Sequence, residues 1–378
     1  MPSAAELLKQ LVSINSVNPD LVPGAAGETE IAAFCGKWLT EHGFTVHRLE
    51  ARKGRPSIVG VAKGKGGGRS LMLNGHIDTV THAGYDGDPL DARIADGKLY
   101  GRGSFDMKCG VAAMMVAAAK AARHELAGDI LVACVADEEY ASIGTEEVAR
   151  SFKADAAIVT EPSHLDLTLA HKGFVWFTVT IEGRAAHGSR PELGIDAIAK
   201  AGHFLVALEA YGQKLLAGTP HPILRTGSVH ASTIKGGEEL SSYPALCTVE
   251  LERRTIPGET GDSVERELRS ILAGLAGTVP DFRYRLERGL ERVPFEAKPE
   301  EPIVVALRKH ATKALGRAPN VRGEPFWTDC AILKEAGISC VLFGADGAGA
   351  HAATEWTNLE SVETLAAILE RTAVEFCG

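Results

Sequence analysis

Asn74-Gly-His-Ile-Asp78 ends an apolar run, Leu71-Met72-Leu73, and puts a histidine two residues before an aspartate. At a strand end this spacing brings imidazole and carboxylate together, leaving one ring nitrogen for a metal while the acid fixes the other. Two acidic segments follow, Gly101-Arg-Gly-Ser-Phe-Asp106 and Asp137-Glu138-Glu139, the second directly after the apolar run Ile130 to Val135. Adjacent acids at the end of a buried strand are costly unless a cation neutralises them. Three such clusters point to a metal-dependent hydrolase.

The elements that must position these residues alternate between helix and strand. Ser3 with Glu6 forms a capping-box pattern opening a helix through Ile14. A second helix is predicted from Glu28 to about His42, and a buried Ala- and Met-rich one from Val111 to Arg123. Strand-like runs lie at 44–49, 58–63, 71–74, 130–135 and 156–160. That alternation predicts an α/β layer with a mixed, largely parallel sheet and functional groups at the carboxyl ends of its strands. Residues 174–288 read as β-α-β-β-α-β, the ferredoxin-like order of a small α+β domain. The chain is therefore read as a discontinuous catalytic domain, 1–173 and 289–378, with 174–288 inserted.

At 378 residues the chain is too long for one core, and about two domains is the expectation. A net charge of −9 with no Lys/Arg block argues against a nucleic-acid surface. No apolar run approaches the ~18 residues of a membrane helix, and Met1 to Glu6 shows no signal-peptide pattern. The seven cysteines are odd in number and unclustered. That pattern predicts reduced thiols in a cytoplasmic protein.

Gly75-His-Ile-Asp-Thr, Tyr100-Gly-Arg-Gly-Ser-Phe-Asp-Met-Lys, Asp137-Glu-Glu and Thr160-Glu-Pro occur in the order of one family. Ala185-Ala-His-Gly-Ser-Arg-Pro191 and His351-Ala-Ala-Thr-Glu355 extend the match to nearly the whole chain. The sequence resembles the di-zinc family of aminoacylase, carboxypeptidase G, acetylornithine deacetylase and succinyl-diaminopimelate desuccinylase. The resemblance implies a zinc-exopeptidase-like catalytic domain with an inserted dimerisation or lid domain. It implies that His76 and Glu161 ligate one metal, Glu139 and His351 the other, and that Asp106 bridges both. Each metal then keeps room for a shared water, as an open catalytic site requires. Glu138 becomes the general base, Asp78 the orienter of His76, and the Asp106-Met107 peptide cis. For Asp78, a turn or helix cap is the competing role.

The same resemblance assigns His187 to the oxyanion in a partner subunit's site, so that a homodimer forms through 174–288. A surface histidine of the lid is the alternative. Arg254, in Glu252-Arg-Arg-Thr-Ile-Pro257, would grip the substrate carboxylate, with Arg253 competing because strand alternation sends the two to opposite faces. Ser241-Ser-Tyr-Pro244 stands where the family often carries Asn, which removes one substrate-positioning amide. Cys109 reads as a buried thiol, with a contact to metal as the minority role. Trp327-Thr-Asp329 fits a substrate-side loop or a core aromatic with a helix N-cap. The dinucleotide and Walker patterns fail on spacing.

The resulting expectation is a cytoplasmic metal-dependent hydrolase with two divalent ions, Zn2+ foremost and Co2+ or Mn2+ as alternatives. It would deacylate an N-acyl amino acid, with a dipeptide-cleaving exopeptidase as the second reading. A silent binding protein is the reading from another class, and the intact Glu138 argues against it.

Overall fold

The structure is a computed structural model and describes residues 2–378. It divides into two compact units. One comprises the segment ending at Leu169, Ala297–Arg322 and Thr328–Gly378; the other comprises Ala170–Glu296 and Gly323–Trp327. The boundaries thus differ a little from 173/174 and 288/289. Ala170 and His171 pair with Glu296 and Phe295, and the last strand of the second unit runs on to Arg292. Residues 323–327 join that unit because the Trp327 indole N–H donates to the Val293 carbonyl (3.1 Å) and its ring meets those of His171 and Phe174.

In the first unit a mixed sheet runs in the order Thr45–Leu49, Ser57–Ala62, Ile130–Val135, Leu71–His76, Ala156–Val159, Ser339–Leu342, Leu167–His171. The four strands from Ile130–Val135 to Ser339–Leu342 are parallel, and the flanking ones antiparallel. Ile130–Val135, Leu71–His76 and Ala156–Val159 are buried throughout, which is why they read as continuous apolar runs rather than alternating ones. Their carboxyl ends lie together by register. His76 pairs with Val135, and Asn74 with Val159, so two residues further on His76 is level with Glu161.

Helix Lys108–Ala121 packs against Ala4–Val12 and Leu359–Cys377 and is buried along nearly all its length. Its first turn carries Gly110, where a Cβ would run into the Thr160 carbonyl. The small residue lets the helix start, and Asp106 just before it, approach the strand ends. A small sheet missed by the sequence reading joins Arg93–Ala95, Lys98–Tyr100, Trp356–Asn358 and Gly347–Ala348. Its strands are two or three residues long, too short for a periodic signal. Among the described residues, no helix is long and apolar enough to cross a membrane.

The second unit is a four-stranded antiparallel sheet in the order Ser228–Gly236, Leu246–Thr255, Gly173–Glu182, Arg283–Arg292. Helices Ala197–Leu216 and Gly261–Thr278 complete the βαββαβ order. Val175, Phe177, Val179 and Ile181 pack against Phe204, Leu208, Leu268 and Leu272. The second helix begins with a Thr260/Ser263 capping box and continues through Gly277 to Thr278 instead of closing before it.

Buried ionic groups hold the loops at the strand ends. Asp78 accepts from the backbone N–H of Glu138 (3.2 Å) and Glu139 (3.3 Å), and from the Asn18 amide (2.8 Å). Asn18 also reaches Asp137 (3.1 Å), which pairs with Arg55 (2.7 Å), itself doubly bonded to Glu28. Glu355 is fully buried and accepts four bonds from the loop preceding the helix. The donors are the N–H groups of Gly103 (3.1 Å), Phe105 (2.9 Å) and Asp106 (3.0 Å), and the Arg102 guanidinium (2.8 Å). In Glu355→Gln an amide NH2 would face two of those donors, and Arg102 would lose its countercharge. Breaking such a buried pair costs about 3–5 kcal/mol. Urea unfolding of the variant should show a loss of that size; a loss below about 1 kcal/mol would mean the bonds contribute little.

Candidate metal centre

His76, at the end of its strand, turns Nε2 toward three carboxylates: Asp106 Oδ1 at 3.3 Å, Glu161 Oε1 at 3.4 Å and Glu138 Oε2 at 3.9 Å. Its Nδ1 lies 3.0 Å from the Asp78 carbonyl oxygen and 3.5 Å from the Asp78 carboxylate. The carbonyl is therefore the nearer orienting partner, while the Asp78 carboxylate anchors the Glu138-Glu139 turn. His351 enters from a loop near the C-terminus in a left-handed backbone conformation (φ 59°). Its Nε2 lies 3.2 Å from Asp106 Oδ2 and 3.0 Å from Glu139 Oε2. The two oxygens of Asp106 thus face different histidines, and the Asp106-Met107 peptide is cis.

Among the described residues, His76, Asp106 and Glu139 form one group whose ligand atoms lie within 4.8 Å of one another; His76, Glu138 and Glu161 form another. Of the three carboxylates facing His76, Glu138 is the farthest.

The charges are arranged for a cation. Burial pushes the Glu138 and Glu161 carboxyls well above the usual range, each also repelled by neighbouring acids. Burial, with Asp106 beside it, raises Glu139 to about 7. Burial works against ionised Asp106 too, yet hydrogen bonds from His351 and His76 hold its carboxyl below the usual range. For His76, burial is outweighed by Glu161 and Asp106, which raise its pKa well above the ordinary value. Hydrogen bonds to Asp106 and Glu139 raise His351 to about 10. Glu139 Oε1 is buried without a hydrogen-bond partner, an orphan that a positive ion satisfies. Two imidazoles and four carboxylates, with no thiolate, fit hard to borderline divalent metals.

Cys109 is not part of this set. Its thiol donates to the Phe105 carbonyl (3.0 Å), and burial pushes its pKa up, so it is an inert core group. Asp329 precedes helix Cys330–Glu335 without capping it through its side chain. It accepts instead from Thr145 (2.6 Å), and burial raises it to about 6. The sequence reading passed over Asn18, Glu28 and Arg55, whose partners lie far away in the chain. Glu355 stood within the quoted His351 motif, with no local signal of its role.

His187 and Arg254 belong to the second unit. His187 is exposed; its Nδ1 accepts from the Ser189 backbone N–H (3.2 Å), which leaves the proton on Nε2. Arg253 is buried and engaged by Tyr211, Glu259 and the Arg254 carbonyl. Arg254 points to the other face of the sheet. Its Nε donates to Glu252 (2.7 Å), and its terminal nitrogens have no protein partner among the described residues.

The description Peptidase family M20/M25/M40 matches residues 72–375. The chain is 30% identical to an acetylornithine deacetylase of Myxococcus xanthus, over 100% of this chain and 98% of that protein. A tripeptidase from Staphylococcus aureus has the same fold, with a TM-score of 0.80 at 20% identity over 99% of this chain and 98% of that one. A dinuclear metal-binding peptidase from Bacillus subtilis superposes with a TM-score of 0.76 at 16% identity, over 99% and 97% of the two chains. The chain belongs to peptidase family M20/M25/M40, a family of metallopeptidases and amidohydrolases.

Proposed function

We propose that this protein cleaves the amide bond of an N-acyl amino acid with the help of two divalent metal ions. The division of Asp106 between His76 and His351 carries the reading, because it makes two half-sites that share one carboxylate. His76, Asp106 and Glu161 would hold one ion, and Asp106, Glu139 and His351 the other. Zinc suits the donors, and cobalt or manganese are alternatives. When bound, the metals supply Lewis-acid polarisation of the carbonyl and a lowered pKa for water.

The rest falls to the chain's own side chains. Glu138, its backbone locked by Asp78, would take the proton of the attacking water and deliver it to the leaving amine. Arg254 would grip the substrate carboxylate through its unpartnered terminal nitrogens. His187 Nε2–H would donate to the tetrahedral oxyanion. The acetylornithine deacetylase relative supports an N-acyl amino acid as the substrate class. A dipeptide offers the same amide and carboxylate, so dipeptides belong in the substrate panel.

A homodimer through the second unit is part of the proposal, with His187 serving the partner's site. Strand Ser228–Gly236 is an exposed edge, and Ile198, Val206, Ile234 and Leu246 are large apolar side chains left in solvent. An open edge with apolar neighbours favours pairing with a second copy.

Exhaustive chelation is expected to abolish amine release, and added zinc or cobalt to restore it. Glu138→Gln should keep its metal yet lower turnover by at least about 100-fold, whereas Glu139→Gln or Asp106→Asn should lose metal. Metal content measured beside hydrolysis checks this; metal loss in Glu138→Gln with retention in Glu139→Gln would reverse the two roles.

For the dimer, inactive His187→Ala and Glu138→Gln subunits are mixed under conditions of verified exchange. A donor acting in trans collects both lesions at one site of the heterodimer and leaves the other site whole. Activity should therefore reappear; continued inactivity would place His187 within its own site or outside catalysis.

A further inference from the structure

Arg254 stands in an organised surface. On the sheet face opposite the helices, Arg254 lies directly across from Phe174, and Phe174 across from Arg292. In the next row Glu252 lies across from Trp176. Facing side chains in such rows touch, with Cβ atoms about 5 Å apart. The Arg254 guanidinium sits 5.3 Å from the Phe174 ring centroid. Phe174 meets Trp176 at 5.3 Å and the edge of Trp327 at 6.3 Å, and Arg292 lies 5.7 Å from the Trp327 ring. The Glu252 carboxylate fixes two of these groups at once, accepting from Arg254 Nε (2.7 Å) and from the Trp176 indole N–H (3.0 Å).

Aromatic rings are normally placed where they remove area from water. Here Trp176 stays 38% exposed while its only polar atom is bonded, and neighbouring Phe326 is 42% exposed. The Trp176 ring is thus presented rather than buried, beside the half-buried Phe174 and Trp327, on a side chain already immobilised. Immobilised groups lose less entropy when a ligand arrives.

We propose that Phe174, Trp176 and Trp327 form the side-chain subsite of the substrate, and that the preferred substrate is an N-acyl amino acid with an aromatic or bulky apolar side chain. The proposal rests on the reading that Arg254 holds the substrate carboxylate. A carboxylate on Arg254 brings its α-carbon beside Phe174, and the side chain it carries meets ring faces. A cationic side chain such as that of ornithine finds no free acid in these rows, because Glu252 is engaged on both oxygens.

Two measurements test the idea on the metal-loaded protein. Amine release from N-acetyl-L-phenylalanine, N-acetyl-L-ornithine and N-acetylglycine should give a kcat/KM at least about 10-fold higher for the first, the scale of a filled apolar pocket. Trp176→Ala should collapse the phenylalanine-to-glycine ratio mainly through KM, and Trp176→Phe should restore it. A purely structural role for Trp176 would lower both substrates alike and leave the ratio unchanged, which would overturn the proposal.

Equilibrium binding of the same three compounds to metal-loaded Glu138→Gln protein separates recognition from reaction. If no N-acyl amino acid is hydrolysed yet the phenylalanine derivative binds tightest, and Trp176→Ala removes the preference, the reaction assignment fails and the subsite stands. If hydrolysis proceeds with equal or better use of the ornithine derivative, the subsite fails and the reaction stands. Absence of binding by any of the three overturns the subsite as well.

Discussion

Crowded negative charge at the end of a parallel sheet is the constraint to which the first unit answers. Asp106, Glu138, Glu139 and Glu161 gather around two imidazoles, and burial, with repulsion from neighbouring acids, raises the pKa of three of these carboxyls. Two like charges 4 Å apart repel by about 4 kcal/mol even at an effective dielectric of 20. Such a cluster is tolerable when its acids are protonated or when cations sit among them. Parallel strands make the crowding unavoidable, because they deliver their carboxyl ends, and whatever residues follow, to the same edge.

Acids that repel one another must be held by something other than themselves. Asp78 and Glu355 do this by accepting backbone N–H groups, so that the turn carrying Glu138 and Glu139 and the loop carrying Asp106 are fixed through their main chain. Arg55 and Arg102 in turn neutralise the supporting acids. The two tasks are separate: Asp78 and Glu355 are satisfied on both carboxylate oxygens, whereas Glu139 keeps one buried oxygen without a partner. Gly110 contributes by absence of volume, letting the helix start close against Thr160.

What could be read from the chain follows this separation. His76, Asp78, Glu138, Glu139 and Glu161 follow apolar runs, so their place at strand ends was visible from local pattern alone, and the α/β layer with it; Asp106, in a turn before a helix, had no such signal. The pairing of Asn74 with Val159, which sets Glu161 level with His76, is a register between strands more than eighty residues apart, and no local signal carries it. Asn18, Glu28 and Arg55 act through partners equally remote in sequence. Short strands such as Trp356–Asn358 exist because the fold presses them together, and nothing in their composition announces them. Helix Gly261–Thr278 runs past Gly277 because a single glycine lowers helix propensity by only about 1 kcal/mol, less than the packing of Leu268 and Leu272 supplies.

The adjacent arginines of the second unit show how strand geometry assigns chemistry. Consecutive residues of a strand face opposite ways, so Arg253 and Arg254 meet different surroundings although they are chemically identical. Arg253 falls on the helix-covered face and can remain there only because Tyr211, Glu259 and a carbonyl satisfy its fork. Arg254 falls on the open face, where Glu252 holds its Nε and leaves the outer edge of the guanidinium free. A shift of one residue in register would exchange the two, burying the free fork and exposing the satisfied one. The ladder that pairs Arg254 with Phe174 and Glu252 with Trp176 is therefore what leaves one of two equivalent residues with a free guanidinium edge, and the same ladder decides which rings stand beside it.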